Sequence, residues 1–344
     1  MRIYYVYPVK HLCSFHYIAK KHIQCLREAG IEVIEVDESD VPRRFDAPVI
    51  LQPGLWILGR FYDVDAPKIV AVDVVETNAL TIHVESVLKR IDAFITHSMW
   101  SAWVLKRLGY PDAVVVPHWV DREYDRPRRE PRHGIIKWMK EAKEREGWLA
   151  ILYHLWHSGL RKGAYEAHEI LHILRTMYPT QFKPVIKRID IADPLLGAFY
   201  VLNSFEIAER LSVDDMVDLY DWVDLHLVTS RAGGFELTAI ESIYRGTPTA
   251  APVCGCFADY SDLITIPLGC KYGEFPLGAE GWYAHTGFGW RVDTTDAVIK
   301  LSRFIEEPDV FRERAKRNMM YARKRYSWEA GCNRFLDAIL EILR

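Results

Sequence analysis

The sequence predicts an α/β protein made of two doubly wound, Rossmann-like domains that face each other across a cleft. Strand-like runs rich in β-branched and aromatic residues alternate with helix-like runs along most of the chain, the order that gives a parallel sheet wrapped by helices. The length of 344 residues is about twice a typical domain of roughly 100–200 residues. A charged, proline-rich stretch, DREYDRPRREPRHG from Asp121, separates two alternating sets.

RIYYVYP reads as the first strand, a helix from about His16 to Ala29 closes at Gly30, and IEVIEVD returns as a second strand, making a βαβ unit. APVILQP, KIVAVDVV, DAFITHS and AVVVPHWV are short apolar runs bounded by Pro, Asp or Ser, as buried parallel strands should be, and they complete a first domain over residues 1–120. Residues 121–147 read as a linker that ends in a short charged helix, KWMKEAKEREG. The second domain, 148–322, begins with the strand WLAILYHLW and SGLRKG. It continues through a helix from about Ala164 to Met177, the strand FKPVIKRID, a helix near SVDDMVDLYDWV and the strands DLHLVTS and TPTAAPV. DAVIKLSRFIEE and SWEAGCNRFLDAILEILR carry apolar residues at helical spacing, and 323–344 form the last helix. No internal repeat or low-complexity tract interrupts this plan.

Composition narrows the function. With 49% apolar residues, 26% charged residues and a net charge of −3, the chain lacks the basic excess of a nucleic-acid binder, despite a short basic run from Arg126 to Arg132. No apolar run approaches the roughly 20 residues that span a bilayer, and MRIYYVYPVKHL turns polar too soon for a signal peptide, so a cytoplasmic location is expected. Six cysteines without a paired CxxC pattern are expected to form neither a disulfide framework nor a zinc site; Cys254 and Cys256 in VCGCF are the one near pair.

Chemistry concentrates in SRAGGFELTAIESIYRGTP, Ser230 to Pro248. Ligands of open α/β sheets sit beyond the carboxyl ends of strands, where loops lead into helix N-termini. Gly233 and Gly234 permit close backbone approach, and a helix starting near Phe235 offers free N–H groups to an anion or to sugar hydroxyls. Glu236 then falls in the first helical turn, where a carboxylate also reads simply as a cap. Glu241, inside the mostly apolar LTAIESIY, needs polar partners.

A strand, Ser230, Gly-Gly-Phe, a helix with an inner glutamate and a closing Gly-Thr-Pro resemble the donor-site pattern of retaining glycosyltransferases of family 4. The pattern there is usually Glu-Gly-Phe-Gly, about four apolar residues, Glu-Ala and Gly-Thr-Pro, with two glutamates eight positions apart. Counting back from Glu241, that place holds Gly233, and a carboxylate stands instead at Glu236, where the family usually has glycine. SVDDMVDLYDWVDLHLVTS, the LRKG element at Leu160–Gly163, DAFITHSMWSAWVLKRLGYPDAVVVPHWVD with Trp119 in place of a glycine, and SWE at Ser327–Glu329 extend the similarity. The glycine pair often found after the first strand is absent from YPVKHLCSFHY.

The resemblance implies a GT-B fold whose last helix crosses back onto the first domain, and transfer of a sugar from a nucleotide-diphosphate donor to an acceptor hydroxyl. It implies that Lys162, with Arg161, Lys187 and His157 as further candidates, meets the charge growing on the diphosphate. Glu241 would hold the donor ribose. Ser230, Gly233, Gly234, Phe235 and Glu236 would address sugar or phosphate, with Glu236 replacing the carboxylate that position 233 lacks. Asp73, Glu76, His83, His97 and His118 lie at or after first-domain strand ends and are candidates to orient an acceptor, against a structural reading in which they satisfy backbone groups. Lys20, Lys21 and Arg27 on the first helix either form a solvated face or rest on an anionic membrane beside a lipid acceptor. No Asp-x-Asp loop is present, so no metal or other cofactor is expected, and the acceptor is left open among glycan, lipid and protein. A sugar-nucleotide epimerase of the same fold and a non-catalytic nucleotide-sugar binder are the alternatives; a dinucleotide dehydrogenase is disfavoured because no G-x-G-x-x-G follows the first strand.

Overall fold

The computed structural model describes residues 1–60, 64–80, 86, 88–110, 112–155, 160–188, 196–273 and 287–344. The first domain runs β1 (Arg2–Tyr7), α1 (Ser14–Glu28), β2 (Glu32–Asp37), β3 (Val49–Leu51), α2 (Gly54–Arg60), β4 (Ile69–Val72), β5 (Ala93–Thr96), α3 (Met99–Arg107) and β6 (Val114–Val115). These strands form a parallel sheet ordered β2-β1-β3-β4-β5-β6. The period of two explains its two-sided burial: Ile3, Tyr5 and Tyr7 enter the layer under α1, whereas Tyr4 and Val6 enter the opposite one.

After a 3-10 turn (Arg122–Asp125) and α4 (Gly134–Glu146), the second domain runs β7 (Leu149–Leu155), α5 (Ala164–Met177), β8 (Phe182–Arg188), α6 (Leu196–Tyr200), β9 (Phe205–Ile207), α7 (Val213–Trp222), β10 (Leu225–Leu227), α8 (Leu237–Arg245), β11 (Thr249–Pro252), a second 3-10 segment (Gly255–Leu263) and β12 (Ile266–Leu268). Its parallel sheet is ordered β9-β8-β7-β10-β11-β12. Ser212 starts α7 with a reciprocal capping box to Asp215. A two-stranded ribbon of β13 (Cys270–Tyr272) and β14 (Trp290–Val292) follows, then α9 (Thr294–Glu306), α10 (Pro308–Tyr326) and α11 (Trp328–Leu343).

Three expectations change here. The segment 121–147 is no loose tether, because Ile136, Met139 and Ala142 of α4 are buried in the core of the second domain. The helix α10 was not anticipated: its sequence is strongly charged, and only Ala315, Ala322 and Tyr326 are buried, so it lacks an apolar stripe wide enough to read. Four of the six cysteines do pair, as Cys25–Cys332 and Cys254–Cys270, and Cys13 and Cys256 stay free thiols. The first bridge joins residues 307 apart and exists because α11 crosses onto the first domain, where Phe335 stacks on His22 at 4.1 Å and Gly331 packs against Trp119. Among the described residues no helix is long and apolar enough to cross a membrane.

Candidate functional site

In each sheet the direction of winding reverses once, and the crevice at such a reversal is where doubly wound folds bind ligands. In the second sheet the reversal lies between β7 and β10. Arg161, Lys162 and Gly163 follow β7, and Val228 to Glu236 follow β10. The two loops are sewn together: the Arg231 N–H donates to Arg161 O at 2.7 Å, and the Thr229 hydroxyl donates to Lys162 O at 3.1 Å and Gly163 O at 2.8 Å. Gly163 has φ +71° and a Cβ there would overlap the Thr229 carbonyl, so only glycine allows this approach.

The Lys162 ammonium donates to Glu236 Oε1 at 2.6 Å, and Arg161 Nη1 donates to Glu76 Oε1 of the first domain at 2.9 Å. Glu236 lies just before α8 with φ +60°, a left-handed conformation uncommon for a side-chain-bearing residue. Its side chain makes no capping bond. The reading of Glu236 as a first-turn cap is therefore corrected: the helix begins one residue later and the carboxylate turns to Lys162. A Cβ on Gly233 would lie 2.5 Å from Glu236 Oε1. The Glu236 carboxylate thus fills the space that a side chain at position 233 would enter.

Gly234 abuts the first domain, where a Cβ would overlap Val74. Ser230 and Phe235 are buried, and the Phe235 ring meets His118 edge-on at 5.4 Å. Glu241 sits further along α8, accepting from the Tyr220 hydroxyl at 3.2 Å. Burial pushes its carboxyl up, opposed by Lys21 and by hydrogen bonds from Tyr124 and Tyr220.

Comparison with solved structures places these two sheets in a known arrangement. The chain superposes on sucrose-phosphate synthase from Thermosynechococcus elongatus with a TM-score of 0.71 at 12% identity, over 99% of both chains. It superposes on the Anabaena HepE protein in complex with UDP-glucose with a TM-score of 0.68 at 13% identity, over 99% of this chain and 100% of that one. The fold is GT-B. A UDP-forming α,α-trehalose-phosphate synthase from Burkholderia xenovorans, in complex with glucose-6-phosphate, matches with a TM-score of 0.64 and 13% identity over 94% of this chain and 77% of that one. An uncharacterized protein 356 of Sulfolobus islandicus rod-shaped virus 1 is 25% identical over 353 residues, spanning 98% of each chain. No family model matches.

Within this GT-B framework the remaining candidates take separate places. Lys187 donates to the backbone carbonyls of Glu209 at 2.7 Å and Arg188 at 3.1 Å, and burial beside Arg188 and Arg210 lowers it to about 8. Lys187 and Lys162 both act on His154, which burial and His226 already hold well below the usual imidazole range. Asp73 accepts the N–H of Leu55 at 2.8 Å and of Val74 at 2.7 Å; burial raises it to about 7. It braces the loop that touches Gly234. His118 is buried, stacked on His97 at 3.5 Å, and burial with His97, His22 and Lys21 keeps it neutral. His157 and His83 lie outside the described residues. Lys21 departs from the expectation of a basic surface face, since it is buried, donating to Trp119 O at 2.6 Å and facing Asp121 at 3.6 Å. Lys20 and Arg27 both pair with Glu35.

The largest omission from the sequence reading is Glu166 on α5. It is fully buried, takes Arg231 with Nη2 at 2.7 Å and Nε at 3.0 Å, and also pairs with Arg291 at 2.6 Å. Its position in the first turn of a helix reads as a dipole complement. Nothing in the spacing announces a partner 65 residues away.

Proposed function

We propose that the chain is a retaining glycosyltransferase that moves a sugar from a nucleotide-diphosphate donor to an acceptor hydroxyl without a metal ion. The observation that carries this reading is the meeting of Lys162 and Glu236 at the strand reversal, with the Glu236 carboxylate in the space next to Gly233. Arg161 and Lys162 supply positive charge where the diphosphate leaves, Glu241 accepts from the ribose hydroxyls, and Glu236 replaces the carboxylate that position 233 lacks. As the anomeric carbon–oxygen bond breaks, the departing phosphate oxygen takes the proton of the acceptor hydroxyl on the same face, and the new glycosidic bond forms there.

Both cations face carboxylates, so an arriving diphosphate exchanges with Glu236 and Glu76 for them. A thermal-shift screen with uridine, guanosine and adenosine diphosphate sugars tests donor binding, since a ligand of the native state raises its stability by mass action. Turnover with the selected donor should persist in EDTA and give a product of unchanged anomeric configuration by NMR. Loss of turnover in EDTA with rescue by manganese would refute the charge assignment, and an inverted product would refute retention. Isomerised nucleotide sugar in the absence of any acceptor would identify an epimerase.

A further inference from the structure

A cavity of about 700 Å³ opens between α3 of the first domain and the 3-10 segment Gly255–Leu263 with β13 of the second. This lies within the usual range for small-molecule sites, about 300–1,000 Å³, and at a domain junction, where such sites concentrate. Trp100, Trp103, Tyr272 and Phe288 line it. Trp103, Tyr272 and Phe288 are 46%, 61% and 41% exposed, a clustering of bare aromatic surface that marks interaction sites.

The rings are held in place. Trp100 stacks near-parallel on Trp103 at 5.4 Å and on Tyr272 at 5.6 Å, and meets Trp290 edge-on at 5.6 Å. The Tyr272 hydroxyl accepts the Gly255 N–H at 3.2 Å. Two polar side chains share the wall: Asp259, which accepts the Met99 N–H at 2.8 Å, and Asn78, whose Oδ1 accepts the Phe288 N–H at 2.6 Å. No Lys or Arg lines the cavity among the described residues.

This chemistry selects the ligand. Among the described residues the wall sets the Asp259 carboxylate against a phosphate, and the Arg107 guanidinium is stacked on the Trp103 ring at 4.8 Å rather than in the lining. A lipid tail would bury the Asp259 carboxylate without a new partner, which is costly. A sugar ring meets both demands, laying its C–H face on an aromatic ring while its hydroxyls donate to Asp259 and pair with Asn78. The cavity also adjoins the candidate donor loop: Trp290, paired with Tyr272 across the ribbon, donates its N–H to Arg231 O at 2.7 Å, and Gly289 packs against the same carbonyl.

We propose that this cavity holds a sugar ring of the acceptor, and hence that the acceptor is a glycan of more than one ring. The word acceptor rests on the glycosyltransferase reading; the carbohydrate site does not. The full chain, fluorescently labelled, is applied to a glycan array, and the best-retained glycan is titrated against wild type, Trp103→Ala, Tyr272→Ala and Tyr272→Phe. Nucleoside diphosphate binding is measured on the same proteins by calorimetry, and near-UV circular dichroism checks their folds. The two alanine variants should bind the glycan about tenfold more weakly or worse, Tyr272→Phe should remain close to wild type, and diphosphate binding should be unchanged. No glycan bound by wild type, or equal binding by the alanine variants, overturns the proposal. So does capture of wild type by phosphatidylcholine vesicles that both alanine variants lose while no glycan binds, which makes the patch a membrane contact. Ring-dependent glycan binding in a chain that binds no nucleoside diphosphate leaves the cavity standing and removes the donor reading.

Discussion

Glu236 and Gly233 exchange the roles that their positions suggest. Glycine, which tolerates φ +60°, is absent from position 236, and the carboxylate expected at 233 reaches the same space from three residues further on. Glu236→Gly should suit the backbone yet lower turnover about 100-fold, the scale for losing one charge-stabilising group. Gly233→Glu alone should clash with the Glu236 carboxylate. The double variant Gly233→Glu/Glu236→Gly should recover much of the lost turnover, and steady-state kinetics on the three proteins decide it: a double variant as inactive as Glu236→Gly would show that the two places are not equivalent. Glu241→Gln should weaken the bare nucleoside diphosphate and the donor alike, by roughly 1.5–3 kcal/mol for each charge-assisted hydrogen bond lost. Glu236→Gln, which frees Lys162 of its competing carboxylate, should tighten the bare diphosphate several-fold while lowering kcat, a division that calorimetry alongside kinetics resolves.

The elements that sequence reveals well are those whose burial is local. β1 and β7 are largely apolar runs, Ser212 opens α7 with a capping box, and Gly30 and Gly246 close α1 and α8 at positive φ, so all read directly. The placement of Arg161, Lys162 and the 230–236 loop follows from the same periodicity, because each comes straight after a strand. Glu166 does not read, since its worth depends on Arg231 and Arg291 arriving from other elements, and the Cys25–Cys332 bridge depends on the crossing of α11. Cys332→Ser should lower the unfolding free energy by about 2–5 kcal/mol, the usual cost of removing a native disulfide. It should also hasten hydrogen exchange in α11 relative to the sheets, and exchange equal to wild type would mean that packing of Phe335 and Trp328 alone secures the helix.

At the scale of the molecule, the two domains meet through Arg161–Glu76 and through Phe235 against His118, one of a set of buried imidazoles in the first domain. His97 is lowered to about 4 by burial, and His22 and His118 lie well below the usual range for the same reason. A depressed imidazole is neutral in the fold and protonates first in the unfolded chain. Its contribution is full above pH 6.5 and is lost as pH falls towards about 4, up to about 3 kcal/mol for His97. Asp73, raised to about 7, works in the opposite sense, favouring the fold as pH falls through that value. Urea unfolding at pH 7.5 and pH 5 should show the loss from the imidazoles, and His97→Asn, which keeps a donor for Val116 O but cannot ionise, should show less of it. An identical pH response in variant and wild type would contradict this account. Glu76→Gln should detach Arg161 from the first domain and tighten nucleoside diphosphate binding several-fold, by removing a competitor for that cation; unchanged affinity in calorimetry would show that Glu76 does not compete.

The bond between Cys25 and Cys332 closes residues 25–332, mechanically, into a covalent ring. β2 to β6 and the whole second sheet lie inside the ring and bear little of a load applied outside it, whereas β1 (Arg2–Tyr7) precedes Cys25 and stays in the first sheet by its pairing with β2 and β3. A single proteolytic nick anywhere between the two cysteines leaves one connected molecule under non-reducing conditions, and the hinge between the halves can swing only as far as this closed circuit allows.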